Sequence, residues 1–151
     1  MKIRLATRHD ISAITTLKTI IDEDRYLQRI VESETGKSAY LVAEDKDRFI
    51  GQVFLKFYGT LNDPNTPNME DLLVAEKYRK QGVGTALIIE CERLCCEKGF
   101  KQIGLSVNPD LNAKAKSLYE KLGYIDLGQK PYLDGVYNGV EDWVIDLVKT
   151  L

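Results

Sequence analysis

A short basic segment with two closely spaced glycines is the part of the chain best suited to chemistry. It follows the apolar residues 72–74, carries Arg79, Lys80, Gly82 and Gly84, and precedes an apolar stripe with helical spacing. The first turn of a helix leaves main-chain N–H groups unpaired, and the helix dipole adds partial positive charge there. Glycine lets a bulky anion approach the main chain. The segment is therefore predicted to bind phosphate groups.

Two motifs follow one another in a fixed order along the chain. The first is Arg79-x-x-Gly82-x-Gly84 after an apolar strand, and the second is Asn112-x-x-Ala115-x-x-Leu118-Tyr119-Glu120-Lys121-Leu122-Gly123-Tyr124. Neither the P-loop nor the dinucleotide fingerprint occurs in the sequence. The pair of motifs closely resembles the GNAT family of acetyl-CoA-dependent N-acetyltransferases. The resemblance implies an α/β fold with a mixed, mostly antiparallel central sheet, splayed strands four and five, and about four flanking helices.

The resemblance also implies how acetyl-CoA, the acyl-donor cosubstrate, is held. The pantetheine arm of the cofactor pairs with the fourth strand in this family, and an N–H on that strand faces the thioester oxygen as it gains charge. The pyrophosphate is wrapped by main-chain N–H groups of the glycine loop. Asn112 matches a cofactor-contacting asparagine, although it could instead be a polar residue at the start of a helix. The residues matched as cofactor-binding are Leu72, Leu73, Val74, Arg79, Lys80, Gln81, Gly82, Val83, Gly84, Thr85 and Asn112.

Three further side chains are matched to the chemistry by this resemblance. Tyr119 corresponds to a tyrosine that lies beside the cofactor sulfur, where a phenol can protonate the departing thiolate. The strand that begins Glu70-Asp71 looks like that of the diamine acetyltransferases, in which the glutamate relays the amine proton through water. Asp71 is expected to bind a second cationic centre of the substrate. The alternatives are core packing for Tyr119 and a solvated strand rim for Glu70.

Composition excludes several classes of protein. The chain has 151 residues, 44% of them hydrophobic and 29% charged, with a formal net charge of -2. This predicts a single domain over residues 1–151 and no nucleic-acid surface. The sequence has no apolar signal segment and no stretch of the roughly 20 apolar residues that span a bilayer, so we expect a cytoplasmic protein without membrane contact. A homodimer is compatible with these features.

The three cysteines and the one histidine are assigned structural positions. Cys91, Cys95 and Cys96 fall on the helix after the glycine loop, and the first two share its apolar stripe. Their number and spacing predict neither a disulfide framework nor a metal site. Without a basic partner they are not expected to act as nucleophiles. His9 is expected to be a solvated residue at the start of a helix.

Hydrophobic periodicity predicts eleven elements in the order β-α-α-β-β-β-α-β-α-β-β. The predicted helices are one that begins at a Thr7–Asp10 capping box and carries Ile21, a second within 20–37, one after the glycine loop, and one that ends at Gly123. The predicted strands cover 2–6, 39–43, 49–58, 69–74, 101–107, 124–127 and 142–148. The remaining segment 128–138, with Tyr132 and Tyr137, is expected to roof a small pocket.

The sequence supports one main functional hypothesis and two alternatives. The main one is direct transfer of an acetyl group from acetyl-CoA to a primary amine in a ternary complex. Acidic residues at Asp63, Glu70, Asp71 and Asp134 favour a small cationic acceptor such as a diamine, a polyamine or an aminoglycoside. The alternatives are a protein or peptide N-acetyltransferase and a noncatalytic acyl-CoA-binding sensor.

Overall fold

The computed structural model describes residues 1–18 and 23–151. Four α-helices lie in these residues: α1 (Ile11–Leu17), α2 (Glu23–Glu34), α3 (Val83–Glu97) and α4 (Ala113–Lys121). The strands are β1 (Lys2–Leu5), β2 (Ser38–Asp45), β3 (Arg48–Lys56), β4 (Asn68–Val74), β5 (Gln102–Val107), β6 (Ile125–Asp126), β7 (Tyr132–Tyr137) and β8 (Val140–Thr150).

The strands form one mixed sheet in the order β1-β2-β3-β4-β5-β8-β6, and β7 pairs with β8 beside this path. All neighbouring strands are antiparallel except β4 and β5. These two parallel strands pair only at Asn68 with Gly104 and at Met69 with Leu105, so they separate beyond Met69. The predicted α/β class, the mostly antiparallel sheet and the splay of strands four and five are confirmed.

Side chains that alternate along β3 divide the core between the two faces of the sheet. Val53 and Leu55 belong to a cluster with the buried face of α3, whereas Phe54 packs with Tyr26 and Ile30 of α2. Successive strand residues point to opposite faces, so α3 and α2 cover opposite sides of the sheet. The α3 cluster also contains Cys91 and Cys95, both fully buried, which confirms the structural assignment of these two cysteines.

Local signals at the ends of elements are confirmed where they lie in the described residues. The Thr7–Asp10 capping box is present, but it opens a short 3-10 turn that leads into α1. His9 is exposed in that turn. Gly99 and Gly123, which follow α3 and α4, have positive φ angles of 86° and 99°, as expected for glycines that end helices. The predicted placement of Ile21 on the first helix lies outside the described residues.

The prediction for segment 128–138 missed a strand. Residues Tyr132–Tyr137 form β7, which makes a hairpin with β8, and β8 starts at Val140 rather than at residue 142. Most β7 residues are exposed, and the pairing is interrupted between Leu133 and Gly135. The strand therefore lacks the alternation of buried and exposed residues from which strands are predicted. No helix in the described residues is both long and apolar enough to cross a bilayer.

Candidate active site

The glycine loop is shaped by residues with left-handed backbone conformations. Gly82 caps the N-terminus of α3 with φ 84°, and Lys80 has φ 59°. A Cβ added at Gly82 would meet no heavy atom within 4 Å, so the space in front of the helix is open. The N-cap Gly82 has no side chain with which to cap α3, and the N–H groups of Val83, Gly84 and Thr85 in the first turn have no partner within the helix. The geometry suits an anion.

One hydrogen bond fixes this loop to the end of β4, and a second closes a turn within the loop. The Arg79 Nε donates to the main-chain oxygen of Val74 over 3.0 Å, and the Gln81 side chain donates to the Lys77 oxygen over 3.1 Å. Val83 is buried in the α3 cluster, whereas Arg79, Lys80 and Gln81 are exposed. The loop is therefore anchored by its buried end and presents its charges to solvent.

An open cleft connects the loop with α4. Lys80 lines it on one side and α4 residues on the other, including Lys114 and Lys121. Three lysines around one cleft favour a ligand with several negative charges. Sequence reasoning missed Lys114 and Lys121, because solvent-exposed lysines on a helix have no distinguishing pattern. Asn112 is the N-cap of α4 but makes no capping hydrogen bond with its side chain, so its amide is available to a ligand.

Tyr119 lies on the same face of the sheet as α3. It is half-buried and packs on the α3 cluster together with Leu72 and Val74 of β4. Its ring makes an edge-on contact with the Tyr124 ring at 6.2 Å between centroids. Burial raises the pKa of Tyr119 to about 12. Its hydroxyl has no hydrogen-bond partner within residues 1–18 and 23–151.

A β-bulge interrupts β4 at the point where the splay begins. Glu70 pairs with Phe54 and Leu73 pairs with Gln52, so Asp71 and Leu72 lie opposite the single residue Val53. Asp71 has φ 52°, in the left-handed region. A bulge of this kind changes the direction of the main-chain groups that follow it. Leu72 and Leu73, which were predicted to hold the cofactor, therefore lie immediately after a fixed change of strand direction.

Glu70 and Asp71 meet basic side chains on the α2 face of the sheet. One Asp71 oxygen lies 2.7 Å from a terminal nitrogen of Arg29, and the other pairs with Lys18. Glu70 lies 2.5 Å from Lys56 and 3.6 Å from Arg29. Burial alone would raise the pKa of Asp71, but Arg29 and Lys18 outweigh it and hold that pKa below its usual value.

These contacts bear on the role predicted for Asp71, which stays a prediction. Both of its carboxylate oxygens already have a basic partner, so a second ammonium of a substrate would have to share them. Sequence reasoning missed the partners Lys18, Arg29 and Lys56, because they come from other elements of the chain. Glu70 remains half-buried at the rim of the splay, on the face opposite Tyr119.

The β7–β8 hairpin brings further carboxylates to this face. Asp146 accepts hydrogen bonds from Tyr132 over 2.6 Å and from Ser106 over 2.8 Å. Burial, Asp142 and Glu70 raise the pKa of Asp134, whereas Lys56 lowers it. These influences place Asp134 close enough to Glu70 for their charges to interact. Asp134 was identified in the sequence, but Asp142 and Asp146 were not, because the hairpin itself was missed.

Comparison with known proteins identifies the family. Residues 8–124 match the Acetyltransferase (GNAT) family. A thialysine N-epsilon-acetyltransferase from Mus musculus is 42% identical over 59 residues, which are 39% of this chain and only 34% of that protein. Thus the matched part spans about a third of that relative.

Two solved structures show how similar the fold is. A ribosomal-protein-alanine N-acetyltransferase from Brucella melitensis has a TM-score of 0.83 at 19% identity, over 100% of both chains. The PaiA N-acetyltransferase from Thermoplasma acidophilum, in complex with coenzyme A, has a TM-score of 0.76 at 18% identity, over 99% of this chain and 98% of that one. At such identities the likeness shows the fold alone, while the family match covers most of the sequence. The chain belongs to the GNAT family of acetyltransferases.

Proposed function

We propose that this protein transfers the acetyl group of acetyl-CoA to a primary amine of a small cationic acceptor by direct attack in a ternary complex. The observation that carries the proposal is the separation of β4 from β5 after two paired positions. We assign the glycine loop and Tyr119 to the α3 side of this gap, because the loop leads into α3 and Tyr119 packs on the α3 cluster. Glu70 is assigned to the α2 side, because it pairs with Arg29 of α2. Residues 1–151 are proposed to form one N-acetyltransferase domain.

The α3 side supplies the groups that would hold acetyl-CoA. Main-chain groups of Leu72, Leu73 and Val74 border the gap and would pair with an extended arm. The N–H groups of residues 80–85, with Arg79 beside them, would receive the pyrophosphate. Gly82 leaves the space in front of α3 open, and Asn112 offers a free amide. When bound, acetyl-CoA supplies an activated acyl group as a thioester.

Tyr119 is proposed to donate the proton that the departing thiolate needs. With its pKa raised to about 12 by burial, the phenol is fully protonated at neutral pH. A phenol of this pKa is a weaker acid than a thiol in water, for which the usual pKa is about 8.5. A thiolate that forms in the same half-buried place also becomes more basic, because burial disfavours its charge. The two groups are thereby brought closer in proton affinity, as general acid catalysis requires.

Glu70 is proposed to receive the proton of the incoming amine, directly or through water. A primary ammonium is almost fully charged at neutral pH and must lose a proton before its nitrogen can attack. The Glu70 carboxylate lies on the acceptor side of the gap, where Lys56 fixes one of its oxygens at 2.5 Å. This contact orients the carboxylate, and the second oxygen, which has only a longer contact of 3.6 Å with Arg29, would receive the amine proton.

The hairpin carboxylates favour a cationic acceptor. Asp134, Asp142 and Asp146 add negative charge to a face on which Asp71 is neutralised by its own ion pairs. An acceptor with more than one ammonium would be attracted to this surface and oriented by it. The similar proteins include a thialysine N-epsilon-acetyltransferase and a ribosomal-protein-alanine N-acetyltransferase. A protein or peptide acceptor is therefore the main alternative.

A panel of amines with a thiol-release assay tests the proposal. The panel contains a diamine, a polyamine, an aminoglycoside, lysine and peptides with a free N-terminus, each with acetyl-CoA as donor. We expect release of free thiol with at least one small cationic amine and slower release with the peptides. Faster release with peptides would replace the proposed acceptor class. Thermal stabilisation by acetyl-CoA with no thiol release for any amine would instead indicate an acyl-CoA sensor.

A further inference from the structure

The bulge in β4 is held by side chains to which the proposed chemistry assigns no proton transfer, although one of them, Arg29, also lies 3.6 Å from Glu70. We infer that Arg29 and Gln52 are positioning residues for acyl transfer, because both bind Asp71. Through Asp71 they fix the direction of the main chain at Leu72 and Leu73. This inference rests on the proposed function. It concerns how the site is held in shape, and it gives Asp71 a structural role in place of substrate binding.

The conformation of Asp71 needs external support. Its φ angle of 52° lies in the left-handed region, which is unfavourable for residues other than glycine, although aspartate tolerates it better than most. Backbone strain of this kind persists only where the surrounding structure determines it. The residue is also half-buried and charged, so its carboxylate requires partners.

The first contact is an ion pair with the Asp71 side chain. Arg29 comes from α2, is only 5% exposed, and reaches one carboxylate oxygen at 2.7 Å while Lys18 pairs with the other. The guanidinium lies 4.8 Å from the centre of the Phe54 ring on the neighbouring strand β3. This ring fixes the guanidinium from its other side, so Arg29 has little freedom to follow Asp71 if the bulge moves.

The second contact is a hydrogen bond to the Asp71 main chain. The side-chain amide of Gln52, which is fully buried, donates to the Asp71 carbonyl over 3.4 Å. The orientation of this amide is set by Tyr40, whose hydroxyl donates to the Gln52 side-chain oxygen over 2.9 Å. Burial raises the pKa of Tyr40, so its hydroxyl remains protonated and remains a donor. The amide nitrogen of Gln52 is thereby turned toward β4.

The ion pair from α2 and the hydrogen bond from β3 thus both hold Asp71. Because the N–H directions of Leu72 and Leu73 follow from the backbone angles at Asp71, movement of the bulge would displace any donor that faces the thioester oxygen. A misplacement of about 1 Å in a reacting site can lower a rate by about 100-fold. Neither Arg29 nor Gln52 belongs to the glycine loop, so the phosphate contacts of acetyl-CoA should survive and its affinity should fall less than kcat.

The test compares Arg29→Gln, Arg29→Lys and Gln52→Met with the wild-type protein, using an amine that the panel identifies. The measurements are kcat, the KM for each substrate, the thermal midpoint, and amide hydrogen exchange of residues 68–74 without ligand. Arg4→Gln is the matched control, because Arg4 forms a comparable ion pair with Asp10 at 2.8 Å far along the chain from the bulge. It should lower the thermal midpoint and keep kcat.

We expect Arg29→Gln and Gln52→Met to lower kcat by about 10- to 100-fold, to change the KM for acetyl-CoA by less than about threefold, and to speed exchange in residues 68–74. Arg29→Lys should recover part of kcat, since it keeps the charge. If Arg29→Gln fails to fold, the neutral pair Arg29→Gln with Asp71→Asn replaces it and should show the same loss of kcat.

Two results would overturn the inference. Unchanged kcat and unchanged exchange with a lower thermal midpoint, as for Arg4→Gln, would leave only a role in stability. A raised KM for diamines at constant kcat would return Asp71 and its partners to substrate binding. A wild-type protein that releases no thiol with any amine would refute the proposed function, and the exchange measurement would then still decide whether Arg29 and Gln52 hold the bulge.

Discussion

Removal of one oxygen atom, in Tyr119→Phe, separates the catalytic interpretation of this residue from the packing one. The substitution keeps the ring and its contact with Tyr124 at 6.2 Å. It removes a hydroxyl that has no hydrogen-bond partner in the described part of the chain. A typical hydrogen bond contributes about 1 kcal/mol to stability, and none is lost here, so the free energy of unfolding at neutral pH should hardly change.

The expected effect on turnover is much larger. Loss of a general acid lowers rates by about 10- to 1000-fold in this setting, which is about 1.4 to 4 kcal/mol in the activation barrier. Because the pKa of Tyr119 is raised to about 12, the phenol keeps its proton through pH 10. The ratio of wild-type to variant kcat should therefore stay constant between pH 8 and pH 10, measured by thiol release at saturating substrates.

The raised pKa also has a consequence for stability at high pH. The folded protein holds this proton more tightly than the unfolded chain. The free energy of unfolding is therefore independent of this group below the ordinary value of 10.0 and decreases as the pH rises from there through about 12. A shift of that size corresponds to about 3 kcal/mol. Alkaline unfolding of Tyr119→Phe should thus be less steep than that of the wild type over this range.

Tyr124→Phe is the control for this experiment. The Tyr124 hydroxyl donates to Glu92 over 3.0 Å, and the residue is 1% exposed. Its removal should lower stability by about 1 to 3 kcal/mol, because the bond is made to a charged acceptor, and should leave kcat nearly intact. Equal kcat for Tyr119→Phe and wild type at saturating substrates would refute the general-acid role and leave water or Glu70 to move the protons.

Three further predictions concern the loop, the core and acid stability. Gly82→Asp should abolish the rise in thermal midpoint that acetyl-CoA causes, whereas Gly99→Asp, also at a positive φ in open space but at the other end of α3, should retain it; equal shifts would contradict the phosphate loop. Cys91→Ala should lose about 1 kcal/mol of stability through a small cavity and keep its turnover, and a folded but inactive variant would reopen a covalent route. Burial raises the pKa of Asp10, but the contacts with Arg4 and Thr7 outweigh it and hold this pKa below its ordinary value of 3.8. Wild-type stability should therefore fall as the pH drops below about 4, and Asp10→Asn should show less of this dependence in acid denaturation.

The features that could be predicted from the sequence are those that local geometry determines. Gly82, Gly99 and Gly123 end or begin helices with left-handed backbone angles, and glycine at such points is a local signal. Burial of Cys91 and Cys95 follows from helical spacing. The splay of β4 and β5 came from family resemblance, and the sequence pattern alone gives no reason for two strands to separate.

The features that could not be predicted depend on contacts between distant segments. The sequence shows the acidic pair Glu70 and Asp71, which suggested a site for a cationic substrate group. It does not show that Lys18, Arg29 and Lys56 fold onto the same face and pair with these carboxylates. A charge in the sequence is thus a poor guide to charge in a site unless its partners are also known.

The two sides of the gap between β4 and β5 differ in the kind of group that forms them. This difference limits which properties of the site can be inferred from family membership. The donor side consists mainly of main-chain groups in one short segment, 72–85, whose geometry depends on two glycines. The proposed acceptor side consists of side chains from α2, β3, β4 and the β7–β8 hairpin. Arg29 and Gln52 are inferred to hold the β4 main chain, but Lys56 and Asp134 have no such role, so we expect substitutions at these two residues to alter the acceptor while the proposed donor side keeps its shape. The family match over residues 8–124 includes segment 72–85 but ends before β7 and β8, which are proposed to contribute to the choice of acceptor.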